Sequence, residues 1–154
     1  MVREKKKKKS ILVVDDDETV LKSLKDILQS NGYRVDTAKT GKEAIEKSER
    51  RFYNLALLDI VLPNMQGTKL LTKMHRTTPK MMKIMVTGYP SLQNAVESLN
   101  LGADAYVVKP VSPEELLRVV EDKLKEQEEA EKMSEEKVAE WIKTRIRKLE
   151  PEPQ

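Results

Sequence analysis

Five polar residues, namely three acids, a threonine and a lysine, stand at the ends of short apolar segments. Asp15 and Asp16 directly follow the first segment, Asp59 follows a second, Thr87 ends a third and Lys109 ends a fourth. Unit charges about 4 Å apart repel by roughly 4 kcal/mol at an effective dielectric of 20, so three clustered carboxylates require a neutralising cation. Oxygen ligands favour a hard ion such as Mg²⁺, with Mn²⁺ as an alternative. Metal, lysine, hydroxyl and carboxylate nucleophile together predict a phosphoryl-transfer site.

The apolar segments that carry these residues have the length and composition of β-strands. Runs at residues 11–14, 55–58, 82–86 and 105–108 have strand length and are mostly rich in Val and Ile, as expected for strands buried on both faces of a parallel sheet. Residues 33–38 alternate apolar with polar side chains, which suits an edge strand. Apolar side chains recur at helical spacing between and after these segments: Leu21, Leu24 and Leu28; Leu92, Val96 and Leu99; Leu116, Val120 and Leu124.

The order of these segments is βαβαβαβαβα. It predicts an α/β fold with a doubly wound, flavodoxin-like sheet of five parallel strands in the order 2-1-3-4-5. In such a sheet ligands bind at the carboxyl ends of the strands, at the point where the strand order reverses. We therefore expect the acids after strands one and three to meet there, beside Thr87 and Lys109. Taken singly each residue has a structural explanation, since Asp16 or Asp17 could cap the first helix; the combination favours a site.

Composition restricts the class of protein. The chain has 154 residues, 38% of them apolar and 36% charged, and no apolar run approaches the roughly 20 residues that span a bilayer. The absence of cysteine excludes disulfides and thiolate metal sites and favours a cytoplasmic location. Residues 1–10 carry six Lys/Arg and one Glu (+5), and residues 121–154 carry eight Lys/Arg and eleven Asp/Glu (−3), which leaves +1 of the total +3 for the body.

The charge distribution and the helix patterns predict four regions. Residues 1–9 form a basic arm, which we interpret as a solvated tail, with nucleic acid or anionic lipid as the alternative partner. Residues 10–125 form the domain, residues 126–150 a helical C-terminal extension, and residues 151–154 a tail.

The course of the last helix is left open by the sequence. No Gly or Pro occurs between Pro113 and Pro151, so the helix could run on, yet Ser134 followed by two glutamates resembles a fresh helix start after a break near residues 132–134. Residues 125–133 lack an apolar stripe and suggest a solvated helix face or a linker. The residues that recur on one face of the final helix are Val138, Trp141, Ile142, Arg145, Ile146 and Leu149. Trp141 favours burial of this face against the domain, a second subunit or a partner protein.

Four motifs, in order over about residues 10–125, resemble the receiver domains of two-component response regulators. They are Ile11-Leu-Val-Val-Asp-Asp-Asp17, Leu57-Leu-Asp-Ile-Val-Leu-Pro-Asn-Met-Gln-Gly67, Met85-Val-Thr-Gly88 and Tyr106-Val-Val-Lys-Pro110. The resemblance implies a stand-alone receiver with an extra C-terminal helix. It implies a phosphoacceptor signalling domain that catalyses only its own phosphorylation and slow self-dephosphorylation.

The same resemblance assigns roles to the clustered residues. Asp59 would be the phosphoacceptor. Asp16 would bind the metal directly, Asp15 directly or through water, and Asp59 together with the backbone carbonyl of Val61 would complete the coordination. Lys109 would neutralise phosphoryl charge, and its bond to the following proline is expected to be cis.

A switch and a set of partners are also implied. Thr87 would turn towards the phosphoryl oxygens and Tyr106 would move inward, which repacks the face made by the fourth helix, fifth strand and fifth helix. The expected partners are a sensor histidine kinase or phosphotransfer protein, and a downstream protein or a second copy bound through that face or the final helix. Direct DNA binding is not expected, because the region beyond residue 125 is short and acidic, and membrane contact is ranked last. His75, the single histidine, is expected at the surface.

The main alternative is a haloacid-dehalogenase-type phosphatase. Asp15-Asp16-Asp17-Glu18-Thr19 fits that family's Asp-x-Asp-x-Thr motif, and Ile84-Met-Val-Thr-Gly88 resembles its second motif. Asp15 would then be the nucleophile and Asp17 the general acid. No acidic pair follows a further strand after Lys109, and the chain is short for a cap domain, so we prefer the receiver.

Two positions suggest a slow decay of the phosphorylated state. Val61 and Tyr89 lie two residues after Asp59 and Thr87 respectively, where receivers border the path of the attacking water. Apolar or bulky side chains there predict slow self-dephosphorylation.

Overall fold

A computed structural model describes residues 7–149, so most of the basic arm and the tail at 151–154 lie outside the described residues. The elements in chain order are β1 (Ser10–Val14), α1 (Glu18–Ser30), β2 (Arg34–Ala38), α2 (Gly41–Arg50), β3 (Leu55–Asp59), β4 (Val61–Leu62), β5 (Met65–Gln66), α3 (Gly67–Thr77), β6 (Met82–Thr87), α4 (Leu92–Asn100), β7 (Ala105–Val108) and α5 (Pro113–Leu149). Within this range no helix is both long and apolar enough to cross a bilayer.

Five strands form one parallel sheet in the order β2-β1-β3-β6-β7. This confirms the predicted order 2-1-3-4-5, with the alternating strand at an edge, and places the reversal of strand order between β1 and β3. The short strands β4 and β5 pair separately as an antiparallel hairpin. Two-residue strands are too short to show any periodicity, and the hairpin was not predicted from the sequence.

Each face of the sheet packs against its own helices. On one face the buried cluster joins Leu12 and Met85 of the strands to Leu70 and Met74 of α3. On the other face the strand residues meet the buried sides of α1 and α5: Leu21, Leu28, Leu116, Val120 and Leu124. The central strands are covered on both faces, which explains their continuous apolar runs.

Helix α4 turns its apolar stripe towards solvent, unlike α1 and α3. Leu92, Val96 and Leu99 share a face, as the spacing predicted, but that face is exposed, with 82% of Leu92 accessible to solvent. The polar Ser98 is buried instead. The apolar surface of α4 lies beside β7, whose Val108 is also exposed, so this edge of the molecule offers an uncovered apolar patch.

Helix α5 is continuous for 37 residues. The alternative of a break near residues 132–134, with a new helix beginning at Ser134, is therefore wrong. Glu, Lys, Ala and Met on either side of that serine are strong helix formers, so the local cap signal does not interrupt the helix. Its distal half does not pack on the described body: Trp141 is 59% exposed, with Arg145 over its indole ring at 5.0 Å from the centroid.

Two buried polar residues were not predicted. Gln127, in the segment interpreted as solvated, is 4% exposed, and its Nε2 donates to the carbonyl oxygens of Asn54 and Lys80 at 2.8 Å each. It fixes α5 to the loops before β3 and β6. Lys83, within the apolar run of β6, is 1% exposed and donates from Nζ to the carbonyl of Thr78.

Candidate functional site

The site is built around one ammonium group held between two carboxylates. Lys109 Nζ lies 2.6 Å from Asp15 Oδ2 and 3.2 Å from Asp59 Oδ2. Asp15 and Asp59 are 3% and 7% exposed, and they stand just after β1 and at the end of β3, on either side of the point where the strand order reverses. The peptide bond between Lys109 and Pro110 is cis, as expected.

Asp16 completes a cluster of three acids. Oxygen atoms of Asp15, Asp16 and Asp59 all lie within 4.8 Å of one another, and Asp16 is the exposed member. An all-oxygen donor set open to solvent on one side suits a hard cation that keeps some of its waters. The donor set therefore fits Mg²⁺.

The backbone behind Asp59 is held by Gly67. The amide of Gly67 donates to the carbonyl of Ile60 at 2.7 Å, and a Cβ at this glycine would lie 2.1 Å from the carbonyl oxygen of Asp59. No side chain can occupy that space. The β4–β5 hairpin thus folds back against Asp59, and the amide of Val61 donates to Asp59 Oδ1 at 3.2 Å.

Pro63, Asn64 and Gly67 are residue types typical of a turn, but they do not say what the turn is for. The signal was present, because a glycine at the first position of a helix and close after a strand end is typical of a close backbone approach. Sequence alone does not say which backbone is approached.

Thr87 lies at the end of β6, beside β3. It is fully buried, its Oγ1 accepts a hydrogen bond from the amide of Tyr89 at 3.0 Å, and Val86 before it is the register partner of Asp59. Tyr106 of β7 packs against the core cluster that contains Met85, its register partner. Among the residues described, the hydroxyls of Ser98 and Tyr106 are buried without a hydrogen-bond partner.

Burial and neighbouring charges shift the pKa values of Asp59 and Lys109. Burial raises the pKa of Asp59, and the charge of Asp15 acts in the same direction, against the lowering effects of the Val61 amide and Lys109. Burial opposes the charge of Lys109, but hydrogen bonds and charge from Asp15 and Asp59 outweigh it and raise its pKa. Lys109 therefore stays protonated and offsets the repulsion between the two acids.

Asp17, the general acid of the phosphatase alternative, has a structural role. Its carboxylate accepts from the amides of Thr19 at 2.9 Å and Val20 at 3.4 Å, which makes it the N-cap of α1. The open choice between Asp16 and Asp17 as cap is thus decided for Asp17. His75 lies on α3 and is exposed, as predicted.

Comparisons with known proteins agree with this geometry. A family model described as "Response regulator receiver domain" matches residues 11–121. The transcriptional regulatory protein SrrA of Staphylococcus aureus is 37% identical over 102 residues, which cover 65% of this chain and 41% of SrrA. The chain thus spans about two fifths of the length of this curated relative.

Two solved structures show the similarity in three dimensions. A CheY-like response regulator receiver domain protein from Methanospirillum hungatei is 55% identical, with a TM-score of 0.79, over 80% of this chain and 99% of that one. NtrX from Brucella abortus is 27% identical, with a TM-score of 0.79, over 83% of this chain and 30% of that one. The family model ends 28 residues before the end of α5.

Proposed function

We propose, because the chain belongs to the family of response regulator receiver domains, that Asp59 accepts a phosphoryl group from a phosphohistidine. The donor is a sensor histidine kinase or a phosphotransfer protein. The P–N bond of the donor breaks, a bond forms between phosphorus and a carboxylate oxygen of Asp59, and the donor imidazole takes up a proton. The observation that carries the proposal is the Lys109 ammonium between Asp15 and Asp59.

Different residues around Asp59 would bind the metal ion and the oxygen atoms of the dianionic phosphoryl group. Asp15, Asp16 and Asp59 would hold Mg²⁺ through carboxylate oxygens and Val61 through its backbone carbonyl, with Mn²⁺ as a substitute. The bound cation would neutralise charge on the phosphoryl oxygens. The raised pKa of Lys109 keeps its ammonium group charged. The ammonium would therefore be attracted from the carboxylates to a phosphoryl oxygen. Thr87 would turn its hydroxyl from the Tyr89 amide to another phosphoryl oxygen.

Phosphorylation would act on the face made by α4, β7 and α5. Tyr106 packs against the core, and its enclosed hydroxyl has no hydrogen-bond partner among the described residues, which supports an inward position of this side chain in the phosphorylated form. The exposed apolar stripe of α4 beside β7 gives this face the character of a docking surface. Its occupant would be a downstream protein or a second copy, and the chain would act in the cytoplasm.

Self-dephosphorylation should be slow, because the rim of the site is crowded. Val61 is 52% exposed and Tyr89 is 74% exposed, and both stand at the loops that follow Asp59 and Thr87. The side chain of Val61 offers an attacking water no hydrogen-bond partner, and the bulk of Tyr89 restricts its approach. Val61→Asn should accelerate decay of the acyl phosphate, and equal decay rates in the two proteins would contradict this part of the proposal.

Incubation with acetyl phosphate and Mg²⁺, followed by mass spectrometry, tests the phosphoacceptor directly. We expect one added phosphoryl group, mapped to the peptide that contains Asp59, and none after chelation of the metal. Asp59→Asn should abolish the adduct, whereas Asp15→Asn should slow its formation without moving it. An adduct that persists in Asp59→Asn, or that maps to Asp15, would refute the proposal.

A further inference from the structure

The distal part of α5 forms a free helix that the phosphoacceptor site does not use. Of the side chains that the structure describes in it, Gln127 is the last that is buried, and those from residue 128 to residue 146 are exposed. The 22 residues from 128 to 149 extend about 33 Å, since an α-helix rises about 1.5 Å per residue. An isolated helix of that length with an apolar face gains stability by packing that face on a partner.

The face that packs on the sheet continues along the free helix. Val120, Leu124 and Gln127 face the body, and the same helical spacing brings Glu131 and then Val138 to that side. The near half of the continued face is small and polar, with Ser134 and Ala130 at or beside it. The far half is bulky, and its exposed residues are Val138, Trp141, Ile142 and Arg145.

The near and far halves of this helix also differ in charge. Residues 125–136 contain six Glu and two Lys, a net charge of −4, and residues 137–149 contain five Lys/Arg and one Glu, a net charge of +4. Two such helices side by side in parallel would place acidic on acidic and basic on basic. An antiparallel pair places −4 opposite +4 at both ends, and bulky side chains opposite small ones.

A cleft lies where the free helix leaves the body. Its volume is about 450 Å³, and it is lined by Pro79, Lys80, Met82, Asp104, Gln127, Ala130, Glu131, Ser134 and Glu135. Three of these nine residues are acidic and one is basic, and three others are apolar, so the cleft is net acidic with some apolar surface. A basic helix end with apolar side chains, such as the far end of α5, has the complementary character.

We propose that α5 pairs with the α5 of a second copy in the antiparallel direction, with the midpoint near Val138. Each basic far half then covers the acidic near half of its partner and reaches the partner's cleft. The pair is closed and two-fold symmetric, because the same surface is used on both copies. Glu131 of one chain faces Arg145 of the other, and the two Val138 side chains meet at the axis.

Cysteine cross-linking tests both the pairing and its direction, since the chain has no cysteine of its own. Val138→Cys should form a disulfide-linked homodimer on oxidation. Arg145→Cys should not, because in an antiparallel pair the two copies of residue 145 lie about 21 Å apart along the helix. A mixture of Glu131→Cys and Arg145→Cys chains should cross-link. Self-linking of Arg145→Cys would show a parallel pair, and a monomer in light scattering with no cross-link at Val138→Cys would show no pair; either overturns the proposal.

Charge reversal supplies a matched control in the intact chain. Glu131→Lys with Glu135→Lys changes the pairing face, whereas Glu129→Lys with Glu136→Lys makes the same charge change on the opposite side of the helix. We expect the first variant to weaken dimerisation at least tenfold in sedimentation equilibrium, and the second to weaken it much less. Equal weakening would mean that overall charge, and not this face, governs association, and would overturn the antiparallel arrangement.

Discussion

The buried Lys83 should make the stability of the domain rise with pH across the alkaline range. Burial lowers the pKa of this lysine from 10.5 to about 8, against the opposing effect of Asp104. The unfolded chain therefore binds more protons than the folded one between pH 8 and the ordinary pKa of lysine. In that window the free energy of unfolding increases with pH, because deprotonation removes the penalty of burying a charge.

The size of the effect follows from the two pKa values. With a folded pKa of about 8 and an unfolded pKa of 10.5, this one group adds about 2 kcal/mol to the free energy of unfolding between pH 7 and pH 9.5. Lys83→Met keeps a flexible side chain of similar length and removes the titrating group. The Thr78 carbonyl that loses the ammonium keeps the amide of Met81 as a donor, at 3.2 Å.

Urea unfolding followed by circular dichroism at several pH values between 7 and 9.5 measures this difference. Relative to Lys83→Met, the wild-type protein should gain about 2 kcal/mol over the range. Lys80→Met, which removes an exposed lysine just before β6, should give a curve parallel to that of the wild type. Parallel curves for wild type and Lys83→Met would refute the assignment of a buried, charge-destabilised lysine.

Three further outcomes follow from contacts in the structure. Gly67→Ala would place a Cβ 2.1 Å from the carbonyl of Asp59, so it should destabilise the fold by about 1–3 kcal/mol in urea and slow phosphorylation by acetyl phosphate; unchanged values of both would contradict the close approach. Gln127→Ala removes one donor from the Lys80 carbonyl and one from the Asn54 carbonyl, which keeps the amide of Met82. The change should cost about 1–3 kcal/mol, visible as a lower melting temperature, and an unchanged melting temperature would mean that water replaces the side-chain amide. Burial alone would raise the pKa of Asp36, but hydrogen bonds, chiefly from Tyr53, lower it. Asp36 therefore stabilises the fold above its unfolded pKa, a contribution lost as pH falls through the folded pKa. Tyr53→Phe should raise that folded pKa in an NMR titration, so the loss begins at higher pH; an unchanged value would show that the tyrosine is not the cause.

The sheet and the site could be predicted from the sequence because both depend on strand ends. Continuous apolar runs indicate buried parallel strands, and the strand order follows once the alternating segment is placed at the edge. The acids and the lysine then meet because parallel strands end at one edge of the sheet. The structure brings Asp15, Asp16, Asp59 and Lys109 together as predicted.

The features that were missed depend on tertiary contacts that leave little trace in the sequence. Gln127 is buried because loops before β3 and β6 offer it two carbonyls, and nothing in its own neighbourhood indicates this. Lys83 keeps its place in an apolar strand because its ammonium reaches the backbone of Thr78. At Ser134 the local cap signal was present, but helix formers on both sides outweighed it, so α5 runs on.

The unbroken course of α5 makes it a lever arm. Its first turns belong to the face that the proposed switch repacks. The side-chain amide of Gln127 anchors it to the body and acts as the fulcrum, and the free end of the helix is at Leu149. Over an arm of about 33 Å, a tilt of roughly 5° at the fulcrum displaces the tip by roughly 3 Å. A small rearrangement near Asp59 therefore becomes a displacement of about 2 Å at Trp141 and about 3 Å at the end of the helix. The length of the helix would determine how far its end moves for a given tilt at Gln127.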